Sequence, residues 1–335
     1  MRRAFPTFAL FILATGAFAQ SYTITDLGTL GGEHTEATGI GSLGQIVGTA
    51  ENADGVYHAF LYSARALHDL GVFGGTQSTA TSINASSQIA GYYYDHAYKA
   101  YVMTNGGLRD LGNLGGNYAV AWALNDRGEV AGDSKTKDFS NHAFLYSNGA
   151  MRDLGTLGGD DSTALGINNS GQITGYAYNK AGDFLAFLWQ NGTMASLGTL
   201  GGDWSKGFAI NDAGQIVGQA YTSGNVKAHA FLYSGGRMID LEGLGNTYSA
   251  ALALNASGSE VVGWSGDRAF LYSDGRMKDL NALIPRNTGW FLTSATGIDD
   301  TGLIAGTGLF KGEEHAFLLT PAGYAPPQAR RRVAH

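Results

Sequence analysis

Cysteine is absent from the 335 residues, which excludes a disulfide framework, a thiolate metal site and a cysteine nucleophile. It leaves the compartment open, since exported proteins can do without cysteine. Proline is scarce, with 5 residues against 51 glycines. Those glycines fall at fixed offsets, so the bias is turn chemistry and not a low-complexity tract. A basic surplus is missing as well: the formal charge is −7, and nucleic acid is an unexpected partner because phosphate binding rests on a basic footprint. No internal segment approaches the roughly 20 apolar residues of a membrane-spanning helix. Ser-x-x-Lys, Gly-x-Ser-x-Gly, His-Glu-x-x-His and P-loop patterns do not occur, which removes the commonest hydrolase and nucleotide signatures. Asn125-Asp126 and Asn211-Asp212 lack the carboxylate ladder of a calcium loop, so neither metal nor cofactor is expected.

The first 19 residues, MRRAFPTFALFILATGAFA, have a basic start at Arg2 and Arg3, an apolar centre and a small-x-small end at Ala17 to Ala19. This reads as a secretory signal peptide removed after Ala19. Loss of Arg2 and Arg3 leaves 19 Lys and Arg against 28 Asp and Glu, a charge of −9. A secreted or periplasmic chain is expected.

What fills the remainder is repetition. The stretch HAFLYSNGAMRDLGTLGG, from His142, recurs in close copies, and its Asp returns as Asp26, Asp69, Asp110, Asp153, Asp240 and Asp279, with Ser196 standing in once. The spacing of about 39 to 44 residues defines seven registers. Each register contains four strand-like segments. The first carries small residues two apart, as at Ala121 and Ala123, hence on one face of a strand, as expected where neighbouring blades crowd a central axis. A turn then runs from Asn84, Asn125, Asn168, Asn211, Asn255 or Asp299, with glycine three residues on at Gly128, Gly171, Gly214, Gly258 and Gly302. The second strand is expected to end in a glycine in all seven registers, namely Gly48, Gly91, Gly132, Gly175, Gly218, Gly263 and Gly306, which predicts close backbone approach. The third strand places an alanine before an aromatic, from Ala59-Phe60 to Ala316-Phe317, and that aromatic is expected in the core.

Four strands per 40 to 45 residues match one propeller blade. Tyr22 to Leu27 is a lone fourth strand, and the last register ends on a third strand, His315 to Thr320. The predicted fold is therefore all-β, a seven-bladed β-propeller over residues 20–321, with the N-terminal strand completing the last blade, followed by a disordered basic tail over 322–335. Such closure removes the exposed sheet edges. A parallel β-helix is the alternative, disfavoured by its shorter coils and lack of tight Asn-x-x-Gly hairpins.

HAFLY at His58, His142 and His229, HAFLL at His315 and DLGTLGG at Asp26 and Asp153 together resemble the HAF-repeat proteins, extracellular bacterial repeat proteins named for that triplet. The resemblance covers nearly the whole chain after the leader. It implies export and repetition, and brings no catalytic residues to transfer. Some relatives carry a C-terminal anchoring segment, whereas PPQARRRVAH has no apolar tail, so release or periplasmic residence is expected over surface anchoring.

The repeated His and Asp positions are read as structural, the Asp accepting bonds from backbone N–H groups of the glycine turn after it. Function in a repeat scaffold is better sought where the copies differ. In a propeller the fourth-to-first and second-to-third connections emerge on one face. There the chain sets Tyr118, Trp204, Tyr248 and Trp290 after the glycine turns, and Tyr92, Tyr93, Tyr94, Asp133, Tyr176, Tyr178, Tyr221 and Trp264 after the second strand. From these, Tyr93, Tyr94, Tyr118, Asp133, Tyr176, Trp204, Tyr248, Trp264 and Trp290 are the candidate ligand-binding residues. Some of them are expected to shield blade junctions instead. Blade 7 departs most, through the insertion NALIPRNTGWFLTSA with Pro285 and Arg286. The expected function is a non-catalytic, monomeric binding module for carbohydrate or an envelope or extracellular protein, Asp133, Asp160, Asp161 and Asp203 accepting hydroxyl bonds. The alternative is an extracellular polysaccharide lyase or hydrolase at the mouth of the central channel, for which Asp160-Asp161, Asp133 with Lys135, and Arg286 are the acid, base and cation candidates.

Overall fold

The structure is a computed structural model that describes residues 21–42, 44–245 and 247–324. The expected leader over 1–19 and all but the first three residues of the expected tail lie outside the described residues. The described chain is a seven-bladed β-propeller: its strands form seven four-stranded antiparallel sheets. Blades 1 to 6 occupy residues 31–71, 77–110, 115–153, 158–198, 201–240 and 249–279. Blade 7 takes its three inner strands from 290–321 and its outer strand from Tyr22–Asp26, with Thr23 opposite Thr320 and Asp26 opposite Phe317. The expected closure is what is found.

The core lies between sheets, in seven clusters of buried side chains. One joins Ala90, Ala100 and Val102 of blade 2 to Ala121, Leu124 and Phe144 of blade 3. Another joins Ala305 and Ala316 of blade 7 to Ala37, Ile46 and Phe60 of blade 1, so the seam is packed like any other junction. The aromatic of the third strand, Phe60, Tyr101, Phe144, Phe187, Phe231, Phe270 or Phe317, is fully buried in every blade. Each such ring contributes about 2–3 kcal/mol of burial. The second-strand glycine makes room for the backbone of the inner strand: at Gly132 an added Cβ would overlap the Val120 carbonyl oxygen and stand 2.8 Å from the Phe144 ring.

Polar side chains stitch blade to blade. Asn125 Oδ1 accepts from Arg127 N and Glu129 N in its own turn, while Asn125 Nδ2 donates to the Asn168 carbonyl of the next blade at 3.0 Å. Asn84 and Asn168 repeat the pattern toward Asn125 and Asn211. A buried serine opening the inner strand does the same on the other face: Ser162 Oγ donates to the Gly155 carbonyl and accepts from Ala143 N of the preceding blade. The insertion of blade 7 is tied in as well. Leu280 and Ile284 enter the core between blades 6 and 7, and the Asn281 side chain bonds the Leu292 backbone in both directions.

Candidate functional site at the upper channel mouth

Because every sheet is antiparallel, the outer-to-inner and second-to-third connections share one face, here the upper one. Most of the large apolar side chains exposed among the described residues lie there: Tyr57, Tyr94, Phe139, Val226, Tyr248 and Leu309. The central channel opens onto it. Its upper part is a cavity of about 390 Å³, within the range of small-ligand sites. One side is hydroxylic, from Thr38, Thr79, Thr81 and Thr296, and the other is apolar, from Trp122, Leu165, Phe208 and Leu252. Thr38, Thr81 and Thr296 donate to carbonyls of Ala80, Ala121 and Ala37 in the next blade, so toward a ligand they can only accept. Beneath lie two further segments of the channel, the lowest ringed by the Asn turns and by Asp126, Asp212 and Asp300.

Two aromatic arrays flank the mouth. In the first, Tyr98 meets Tyr94 at 5.2 Å, Tyr92 at 5.4 Å and Tyr118 at 5.9 Å, and Tyr92 meets Trp122 across the junction of blades 2 and 3 at 5.8 Å. In the second, between blades 4 and 5, Phe184 contacts Tyr176 and Tyr178 and stacks on Trp204 at 5.2 Å, and Trp204 meets Tyr221 at 4.6 Å. Lys206 lies over Tyr176 and Phe184.

Asp133 anchors the first array from below. It is 3% exposed, and accepts from Trp122 Nε1 at 2.5 Å and Asn141 Nδ2 at 2.8 Å, with Tyr118 as a third partner. Desolvation pushes its carboxyl up, against those hydrogen bonds. Tyr118 is pushed up too, by burial first and by the Asp133 charge second. Glu36, facing the channel from blade 1, is raised by desolvation and then by Glu314. Its side chain is exposed to the open channel.

Five of the nine sequence-selected residues thus belong to the two arrays, and four lie outside them. Tyr94, Tyr118 and Asp133 belong to the first array, Tyr176 and Trp204 to the second. Tyr93 is buried, between Phe73 and Tyr101, with its hydroxyl donating to Asp110. Trp290 stacks on Phe310 at 5.0 Å and meets Phe317 edge-on, within blade 7. Tyr248 is 48% exposed and its hydroxyl donates to the Val226 carbonyl. Trp264 is half-buried opposite Ala250 of its own blade. The acid, base and cation candidates are only partly gathered: Asn141 bridges Asp133 and Asp161, Lys135 donates to the Phe139 carbonyl, and Arg286 is exposed in the connection before blade 7.

The repeat pattern did not single out Trp122 and Phe208, which line the channel, or Lys206, which lies beside the second array. Their signal is a large side chain at an inner-strand position where other registers carry Thr or Leu, and, for Lys206, a cation where they carry Glu36, Thr79, Val120, Thr163, Ala250 and Ser294. Nor did the pattern single out the partner of the repeated Asp. The turn bond is present, Gly155 N donating to Asp153 at 2.7 Å, but the same carboxylate accepts from His142 Nδ1 at 2.8 Å. His58 with Asp69, His229 with Asp240 and His315 with Asp26 repeat the pair, and Arg268 replaces the histidine opposite Asp279. Among the described residues no group of His, Asp and Glu is arranged to hold a metal ion.

No family model and no curated protein matches the chain. Among solved structures it is similar to the β-propeller domain of the Trilobed protease from Pyrococcus furiosus, with 11% identity, a TM-score of 0.57, and 92% of this chain and 95% of that one covered. It is also similar to YCF48 bound to D1 peptide, with 11% identity, a TM-score of 0.52, and coverage of 92% and 98%. TolB from Acinetobacter baumannii gives 12% identity and a TM-score of 0.50 over 85% of this chain, which spans 65% of the TolB chain. At such identities the likeness is one of fold: all of these comparisons lead to the propeller.

Proposed function

We propose that this is an exported, non-catalytic binding propeller of the HAF-repeat kind that takes a glycan at its upper channel mouth. The observation that carries the reading is the pair of half-buried aromatic arrays beside a two-sided cavity. Flat rings stack on the C–H faces of sugars, and Thr, Tyr and carboxylate oxygens supply acceptors for their hydroxyls. The leader supports export. A monomer is expected, because the N-terminal strand closes the ring and the outer edge of each blade is a strand of only four to six residues. An envelope protein is the competing partner, a reading supported by the similar YCF48 structure, which is bound to D1 peptide. A carbohydrate array set beside a pull-down from the envelope fraction separates the two. Array hits that Trp204→Ala weakens about tenfold support the glycan reading, and capture of an envelope protein with a silent array contradicts it. N-terminal sequencing of the exported chain, beginning at Gln20, checks the leader.

A second reading, a polysaccharide lyase or hydrolase, is favoured by one observation, the raised Asp133 carboxyl beside the Tyr118 hydroxyl. It predicts new reducing ends or unsaturated products from a polysaccharide panel, lost in Asp133→Asn and Tyr118→Phe.

A further inference from the structure

Several cations of the described chain are neutralised by carboxylates. Lys99 pairs with Asp95 at 2.7 Å, Arg127 with Glu129 at 2.6 Å and Arg268 with Asp279 at 2.8 Å. Lys206 differs. It lies on the inner strand of blade 5, half-buried, with its Nζ 4.8 Å from the centre of the Tyr176 ring and 5.2 Å from that of Phe184. Among the described residues no carboxylate stands within ion-pair distance of it. Its pKa is lowered, with desolvation as the cause. Ring faces compensate part of the lost hydration, but a desolvated ammonium without an anion is a cost that a fold has no structural reason to keep at a solvent-facing mouth.

We infer that Lys206 is the counter-ion for a carboxylate carried by the ligand, so that the site takes an acidic glycan whose uronate group meets Lys206 while adjacent sugar rings stack on Trp204. This rests on the glycan reading above and narrows it. The surroundings limit how much charge is welcome: the chain is net acidic, and Asp203 stands next to Trp204 with its carboxylate held by Asn225. A dense polyanion would be repelled, whereas carboxylates spaced by neutral sugars would not. An acidic peptide without aromatic side chains could meet the ammonium but would offer the stacked rings no ring to pack against.

The probe is an oligosaccharide of alternating glucuronate and neutral sugars, titrated calorimetrically into the full chain beside the same oligosaccharide with its carboxyl groups reduced to alcohols, and beside an acidic peptide. The acidic sugar is expected to bind at least about tenfold tighter than the reduced one, as one charge-assisted contact implies. Lys206→Gln should abolish that difference and Lys206→Arg keep it, with both variants melting like the parent protein. Trp204→Ala should weaken both sugars. The acidic advantage should shrink with salt, and with rising pH as the lysine loses its proton. Equal binding of the two sugars, or an advantage that survives in Lys206→Gln, overturns the acidic inference and leaves the glycan reading standing. Binding of the peptide alone, or of no probe, overturns this inference, and the peptide result removes the glycan reading with it.

Discussion

Asp133 shows how one side chain can serve both the fold and the site. Buried under Tyr118 and Trp122, it carries a carboxyl pushed above its ordinary range by desolvation. For an acid raised in the folded state, the stability it contributes is full below the ordinary aspartate range, near pH 4, and is lost as pH rises through the raised value. Asp133→Asn should therefore flatten the dependence of melting temperature on pH in that window, while the parent protein declines through it. Equal slopes would show that Asp133 does not titrate as its burial implies. Trp122→Phe, which removes the donor bonded at 2.5 Å, should cost about 1–3 kcal/mol, seen as a lower midpoint in chemical denaturation. At this scale the sequence was legible where a residue type has one job. Asn125, glycine at +3 and the buried aromatic were all readable. Lys206 and Trp122 were not, because their meaning depends on the convergence of seven inner strands far apart in the chain.

Within a blade, the same four-strand unit is written seven times with different local fit, so the copies test one another. Gly175→Ala should destabilise by about 2–3 kcal/mol, since the new Cβ would overlap the Thr163 carbonyl oxygen and press on Ala164. Gly112→Ala meets nothing within 4 Å at a φ of +74°, and should cost only about 1 kcal/mol of backbone strain. Thermal melts of the two variants measure that ordering. The turn between the third and outer strands is Asn105-Gly106 in blade 2 and Asn148-Gly149 in blade 3, both at positive φ. Blade 1 places Ala64 and Arg65 in the same conformation, at φ 49° and 65°. Replacing the pair by Asn-Gly should raise stability by about 1–2 kcal/mol, read as an increase in melting temperature. Element boundaries and hairpins were legible because turn chemistry is local. The bonds between blades were not, since Asn125 Nδ2 and Ser162 Oγ reach neighbours whose position only the ring defines.

Around the whole ring, closure depends on the outer strand of blade 7 coming from the N-terminal side of the chain. Tyr22 is buried with the blade 6–7 core and Leu27 with the blade 7–1 core, and His315 bonds Asp26 at 2.9 Å. Deleting residues 20–27 should lower the melting temperature by about 10 °C or more, through lost burial and an unpaired edge. Deleting 326–335 should leave it unchanged. The ring form was legible in the sequence because the first piece supplies the strand that the last register lacks. The ligand was not, because shared positions serve the scaffold and only a few differing side chains address what it holds. Those side chains give the most direct test of the account: the affinity of an array-identified glycan for Trp204→Ala at the upper mouth, measured beside Asp212→Ala at the lower one. The account predicts about a tenfold loss for Trp204→Ala and no change for Asp212→Ala. Equal losses, or a loss confined to Asp212→Ala, would contradict it.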